Sequence, residues 1–242
     1  MIINNSYLIT DELLPTAELG SFVFNPTSEN FYIVTDQGVL TRILPEFVKE
    51  ILASIEKGGE IEISQKIDAP TAIQVTSDTT IINNGMITIS EDTVGDGVFK
   101  VTAGKLTLEG EGTINGVGKN DWNMAVWATE NGEVVINDGY FTNEGATATN
   151  DPAHFDLIYA SGSGQIEING GEFKCETPKW TLNIKDKDRE TAKIVVKGGK
   201  FHGFNPADCE VEGEHTNFVA EGYEVKEENG IFKVEQKEAS AE

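Results

Sequence analysis

The chain has 242 residues, with 18 lysines and arginines against 41 aspartates and glutamates, for a formal charge of −23. A field of that sign weighs against a nucleic-acid partner, because no basic patch interrupts it and a phosphate backbone would be repelled. The hydrophobic share of 38% suits a narrow core and is too low for a membrane span, and two cysteines cannot supply a disulfide framework.

Met1 to Ser6 lack the basic start, apolar run and cleavage site of a secretory signal, so the expected place of synthesis and residence is a cytosol. Residues 1–43 carry Phe22-Val23-Phe24, Phe31 to Thr35 and Val39 to Ile43, separated by Asn25-Pro26-Thr27-Ser28-Glu29-Asn30 and Asp36-Gln37-Gly38. These are the marks of a small antiparallel meander. Such a piece has too little core to stand alone, so the rest of the chain or a second copy is expected to cover it.

Residues 44–58 predict the one amphipathic helix. Leu44, Phe47, Val48, Ile51, Leu52 and Ile55 recur at helical spacing, with Pro45 suited to the first turn and Gly58-Gly59 to the exit. Phe47, Val48, Ile51, Leu52 and Ile55 are candidates for two jobs: capping the core of the downstream strands, or forming a seam between three identical subunits.

Residues 59–206 repeat a motif. Ile136-Asn137-Asp138-Gly139-Tyr140-Phe141 has counterparts at Ile82 to Ile87, Leu108 to Ile114, Ile168 to Phe173 and Val196 to Phe201. The aligned glycines Gly85, Gly112, Gly139, Gly171 and Gly199 are 27, 27, 32 and 28 residues apart, a period belonging to stacked repeats. Two residues before each motif stand Thr80, Leu106, Val134, Ile166 and Ile194, which is strand alternation. Nine residues before stand Ile73, Phe99, Trp127 and Tyr159, with Ile184 joining if Arg189-Glu190-Thr191 is an insertion. Three short strands per repeat predict an all-β fold: a right-handed parallel β-helix of about five coils, preceded by the meander and helix. Its inward side chains would stack in columns over about 24 Å, with Trp127 between Phe99 and Tyr159. The glycine before each aromatic fits a bend that other residues resist. An ordinary β-sandwich is the competing reading, but it would not need five aligned columns.

Cys175 shares the inward side of Phe173 by alternation, which leaves it a buried thiol or one end of a single bridge to Cys209. Residues 207–242 predict a hairpin cap, with Glu228-Asn229-Gly230 as its turn and a frayed tail from Glu235.

Candidate chemistry lies in the turns before the Trp127 strand, where Asp121, Trp122, Asn123, Asp151, His154 and Asp156 gather. Asp121, Trp122, His154 and Asp156 form a candidate glycan patch, the indole offering a face to a sugar ring and the carboxylates accepting from its hydroxyls. Paired carboxylates also serve glycoside hydrolysis, yet turns in so acidic a chain hold aspartate anyway, so solvated turn residues are the default and no catalytic residue is assigned. Arg189 is the coil region's single arginine and a poor lyase base, and Phe201-His202-Gly203 matches a pectin-hydrolase element only superficially. His154, His202 and His215 lack metal-ligand spacing and no calcium loop is present, so neither metal nor cofactor is expected.

Leu14-Pro15-Thr16-Ala17, Leu19 to Phe24 and Asn30 to Val34 resemble the attachment segments that begin many bacteriophage structural proteins, particularly fibres and head-decorating proteins. Gly199 to Asp208 and Thr216 to Tyr223 resemble the last coil and cap of β-helical proteins encoded in phage and prophage genomes. The resemblance implies a virion component: a non-enzymatic head fibre or capsid decoration, homotrimeric, docked on a capsid or other virion protein through its amino-terminal part. Its β-helix would project outward; on this reading the coils are a stiff exposed spacer or a weak adhesion surface for host-surface glycan, and neither nucleic acid nor membrane is expected as a partner. The alternatives are a polysaccharide-degrading spike and a bacterial surface adhesin, the latter needing a secretion route that the amino terminus does not display.

Overall fold

A computed structural model describes residues 6–8, 22–25, 30–34, 40–89, 97–117, 124–146, 155–213 and 216–238. The chain divides into two compact units, Met1–Glu50 and Ile51–Glu242, and it is predominantly β.

In the first unit, β1 (Ser6–Leu8), β2 (Phe22–Asn25), β3 (Asn30–Val34) and β4 (Leu40–Ile43) form one sheet in that order. The last three make the expected antiparallel meander. β1, which the sequence pattern did not reveal, joins β2 in parallel. Helix α1 (Glu46–Lys57) comes next, its first turn held by Val48 N–H donating to Pro45 O at 3.0 Å. It stops at Gly58, whose φ of +81° suits a residue without a Cβ and whose N–H closes onto Ser54 O. Along the apolar stripe Val48 and Ile55 are buried, Ile51 and Leu52 are half-buried, and Phe47 is 39% exposed.

The second unit visits three sheets in rotation. Its strands are β5 (Gly59–Ile63), β6 (Lys66–Ala69) and β7 (Ile73–Val75); β8 (Thr79–Asn83), β9 (Met86–Ile89) and β10 (Phe99–Val101); β11 (Lys105–Glu109), β12 (Thr113–Asn115) and β13 (Val126–Ala128). Then come β14 (Glu133–Ile136), β15 (Tyr140–Thr142) and β16 (Ile158–Ala160); β17 (Gln165–Ile168), β18 (Glu172–Lys174) and β19 (Leu182–Ile184); and β20 (Lys193–Val196), β21 (Gly199–His202), β22 (Tyr223–Glu228) and β23 (Ile231–Gln236). Every third strand pairs in parallel, giving a six-stranded sheet from β5 to β20, a five-stranded sheet from β7 to β19, and an eight-stranded sheet that starts at β6 and ends with the hairpin.

The motif glycines fall in register, each one residue before Met86, Thr113, Tyr140, Glu172 and Lys200, which pair across successive strands. Behind them Ile67, Ile87, Ile114, Phe141, Phe173 and Phe201 form one buried column. The rings of Phe141, Phe173 and Phe201 are stacked at 4.9 and 4.8 Å. This stack explains the glycines: Gly139, Gly171 and Gly199 have φ of +121°, +93° and +105°, and a Cβ on Gly171 would lie 3.3 Å from the Phe141 ring. At Gly85 and Gly112 the φ is not positive; there a Cβ would strike backbone oxygens at 2.3 and 2.6 Å, so close approach is the cause.

The columns of the other two sheets correct the expected alignment. Leu108, Ile136, Ile168 and Val196 align as expected, but their partner in β8 is Ile81, with Thr79 below Leu106; Thr80 and Ile82 stand one position off. In the five-stranded sheet the inward column is Ile73, Phe99, Val126, Ile158 and Leu182, and Ile184 aligns with Ala160. Trp127 lies against Tyr159 but opposite Lys100 rather than Phe99, on the side away from the inward column, where Trp127 is half-buried and Tyr159 is buried. The turn between β13 and β14 is one residue longer than that between β10 and β11, and a one-residue shift in a strand reverses every side chain.

At the carboxyl end the hairpin forms around Asn229 and Gly230, both at positive φ. It extends the eight-stranded sheet, β23 pairing antiparallel with β21. The other two edges are covered by the segment before it: Phe218 O and Ala220 N–H bond to Val196, and a side chain, Glu212, accepts from Ile184 N–H at 2.8 Å. The strand continues through Glu235 and Gln236, beyond the expected start of the tail, because they pair with Glu224 and Tyr223 of β22, with Glu235 also ion-paired to Lys226 and Lys233.

Candidate functional site

Of the sequence-predicted glycan patch, Asp121, Trp122 and His154 lie outside the described residues, as do Asn123 and Asp151. Asp156 is described, and it sits at the edge of a polar ladder on the outer face of the five-stranded sheet. Lys100, Trp127, Tyr159 and Asn183 stand in register on β10, β13, β16 and β19. The Lys100 ammonium lies 4.3 Å from the centre of the Trp127 ring, a cation–π contact. The rings of Trp127 and Tyr159 are tilted at 6.0 Å. Trp127 Nε1 donates to Ser161 Oγ at 2.8 Å, and Ser161 in turn donates to Thr129 Oγ1 at 2.8 Å.

Asp156 is positioned from below. Asn143, wholly buried after β15, donates from Nδ2 to Asp156 O at 3.2 Å and accepts from Glu176 N–H at 2.8 Å. The Cys175 thiol donates to Phe155 O at 2.8 Å. The Asp156 carboxyl then accepts from Asn183 Nδ2 at 2.7 Å. Burial pushes this carboxyl up to about 7, with the Asn183 bond opposing. A group exchanging its proton near neutrality can donate or accept a hydrogen bond at the same place.

A buried carboxylate, Glu212, meets the same end strand, β19, one residue along. Glu212 accepts from Ile184 N–H and pairs with Arg189 Nε at 3.2 Å, while Arg189 also holds Asp186 at 2.9 Å. Burial raises the Glu212 carboxyl above its ordinary value, and its backbone bond and Arg189 oppose. Tyr159 is pushed up to about 12, first by burial and then by Asp156, Asp188, Glu212 and Asp186.

Both cysteines are buried and free, which settles the open choice in favour of thiols. Burial raises Cys175 to about 12, so it is an inert packing group rather than a nucleophile. His202 is the last residue of β21, and its Nε2 meets Glu172 Oε1 at 2.7 Å. Among the described residues no three His, Cys, Asp or Glu side chains are grouped to hold a metal ion.

Sequence reasoning missed Asn143, Asn183 and Glu212. The first had a signal: alternation puts Asn143 on the inward side with Phe141, as it puts Cys175 with Phe173, and a polar residue there needs buried partners. Glu212 had none, because its contact reaches a strand 28 residues away. Compared with known proteins, the chain matches no family model, no curated protein and no solved structure.

Proposed function

We propose that the three parallel sheets are the faces of a right-handed parallel β-helix of about five coils, and that the chain is a non-enzymatic structural protein of a phage particle, a head fibre or capsid decoration. The observation that carries the reading is the in-register column of Ile67, Ile87, Ile114, Phe141, Phe173 and Phe201, with its carboxyl-terminal strand edges covered. Stacked, end-protected strands make a stiff spacer, and the right hand follows the rule for parallel crossovers. The fixed partners of these two carboxyls support a structural role: Asp156 is tied to Asn183, and Glu212 to Ile184 and Arg189.

In this reading residues 1–43 dock on a capsid or other virion protein and α1 joins three copies. Phe47 is exposed and Ile51 and Leu52 are half-buried, leaving apolar area for a seam. The coils project from a virion assembled in the host cytoplasm and offer a weak adhesion surface to host glycan. Sedimentation equilibrium at micromolar protein should give a trimer, and a monomer would overturn the fibre reading. Immunogold labelling of particles grown from the encoding genome should decorate the head.

A second reading, a polysaccharide-degrading spike, is favoured by one observation: burial raises the Asp156 carboxyl to about 7 close to Tyr159. Incubation with capsular or pectic glycans decides it through new reducing ends or unsaturated products.

A further inference from the structure

The outer face of the eight-stranded sheet carries a second ladder, separate from Asp156. Tyr140, Glu172 and Lys200 stand opposite one another on β15, β18 and β21, and Lys233 faces Lys200 from β23. Across the corner that precedes these strands stand Glu111 and Asp138, and the two rows are the walls of an open groove of about 400 Å³. Its floor is glycine backbone, and the Phe stack inside is the reason: three of these glycines hold positive φ, and a Cβ there would meet the rings or the neighbouring glycine oxygens. The inward packing therefore leaves a trough with peptide groups at its base and side chains only at its sides.

The groove's dimensions select its ligand. Four adjacent strands at about 4.8 Å spacing give a ladder about 14 Å long, which fits an extended oligomer lying along the strand stack. Its chemistry narrows the choice further. Carboxylates at Glu111, Asp138 and Glu172 accept hydrogen bonds, the Lys200 and Lys233 ammoniums donate them, and Tyr140 adds a half-buried aromatic face. Glu172 is already oriented by His202 at 2.7 Å and Lys200 at 3.7 Å. A polyanion would meet three carboxylates in the groove and a chain charge of −23, and an apolar peptide would find no deep apolar socket. We infer that this groove binds a neutral, linear oligosaccharide along the stacked strands, through hydroxyl contacts to both walls and ring stacking on Tyr140. The inference deepens the adhesion part of the proposed function and names its site.

The test is titration calorimetry of the intact chain with cellohexaose, maltohexaose and laminarihexaose, using oligogalacturonate as the acidic comparison. At least one neutral hexasaccharide should bind. Tyr140→Ala should weaken it about tenfold and Glu172→Gln should weaken it measurably, with melting temperatures confirming folded variants. The inference is overturned if no neutral hexasaccharide binds, if only the acidic oligomer binds, or if Tyr140→Ala has no effect. Failure here leaves the trimer and the immunogold result untouched, because those read assembly rather than sugar binding.

Discussion

Replacing Asp156 by asparagine isolates the energetic consequence of a carboxyl held in a half-buried, singly hydrogen-bonded place. In the folded chain this group titrates at about 7, whereas in an unfolded chain it titrates near 3.9. The folded state thus holds its proton more tightly, and stability is fully present below about pH 4 and is lost as pH rises through about 7. Three pKa units at about 1.4 kcal/mol each put the loss at up to about 4 kcal/mol by pH 8, with residual solvent access reducing it. The amide in Asp156→Asn keeps an oxygen to accept from Asn183 Nδ2, so the 2.7 Å contact survives without the charge. Urea unfolding followed by circular dichroism at pH 4, 6 and 8 should show the two proteins nearly equal at pH 4. The variant should be the more stable by about 2–4 kcal/mol at pH 8. A difference independent of pH, or a variant less stable at pH 8, would refute the argument that burial dominates at this carboxyl.

Phe173 lies between two stacked rings, so Phe173→Ala should lower unfolding free energy by about 3–5 kcal/mol in the same assay; a loss under about 1 kcal/mol would mean that the column is not close-packed. Gly171→Ala should destabilise more than Gly230→Ala, because both hold positive φ but only the former's Cβ meets other atoms, at 3.0 Å from Gly139 O. The Gly230 change should cost about 1–2 kcal/mol for backbone conformation alone, and equal losses would contradict the packing account. Glu212→Ala orphans the Ile184 N–H at the edge of β19 and should cost about 1–3 kcal/mol. Glu212→Gln, which retains an acceptor, should cost less, and hydrogen exchange at the Ile184 amide reads the difference directly.

Composition and short-range pattern settled a good deal of this protein. The glycine spacing marked the starts of five strands of the eight-stranded sheet, from Gly85 to Gly199, because a positive φ or a backbone closing to 2.3 Å tolerates no other side chain. Asn229-Gly230 marked the hairpin for the same local reason, and the stripe from Phe47 to Ile55 marked the helix. What lay beyond the sequence was register across turns of varying length. Trp127 was placed inward by counting back a fixed distance, and one extra residue in the next turn set it outward against Tyr159 and Lys100. Only the tertiary structure brought Asn183 to Asp156 and Glu212 to Ile184, each across nearly a full repeat. Alternation and turn chemistry act between neighbours in the chain, whereas the burial that moves the Asp156 proton equilibrium arises from residues that meet only when successive rounds of strands are laid side by side.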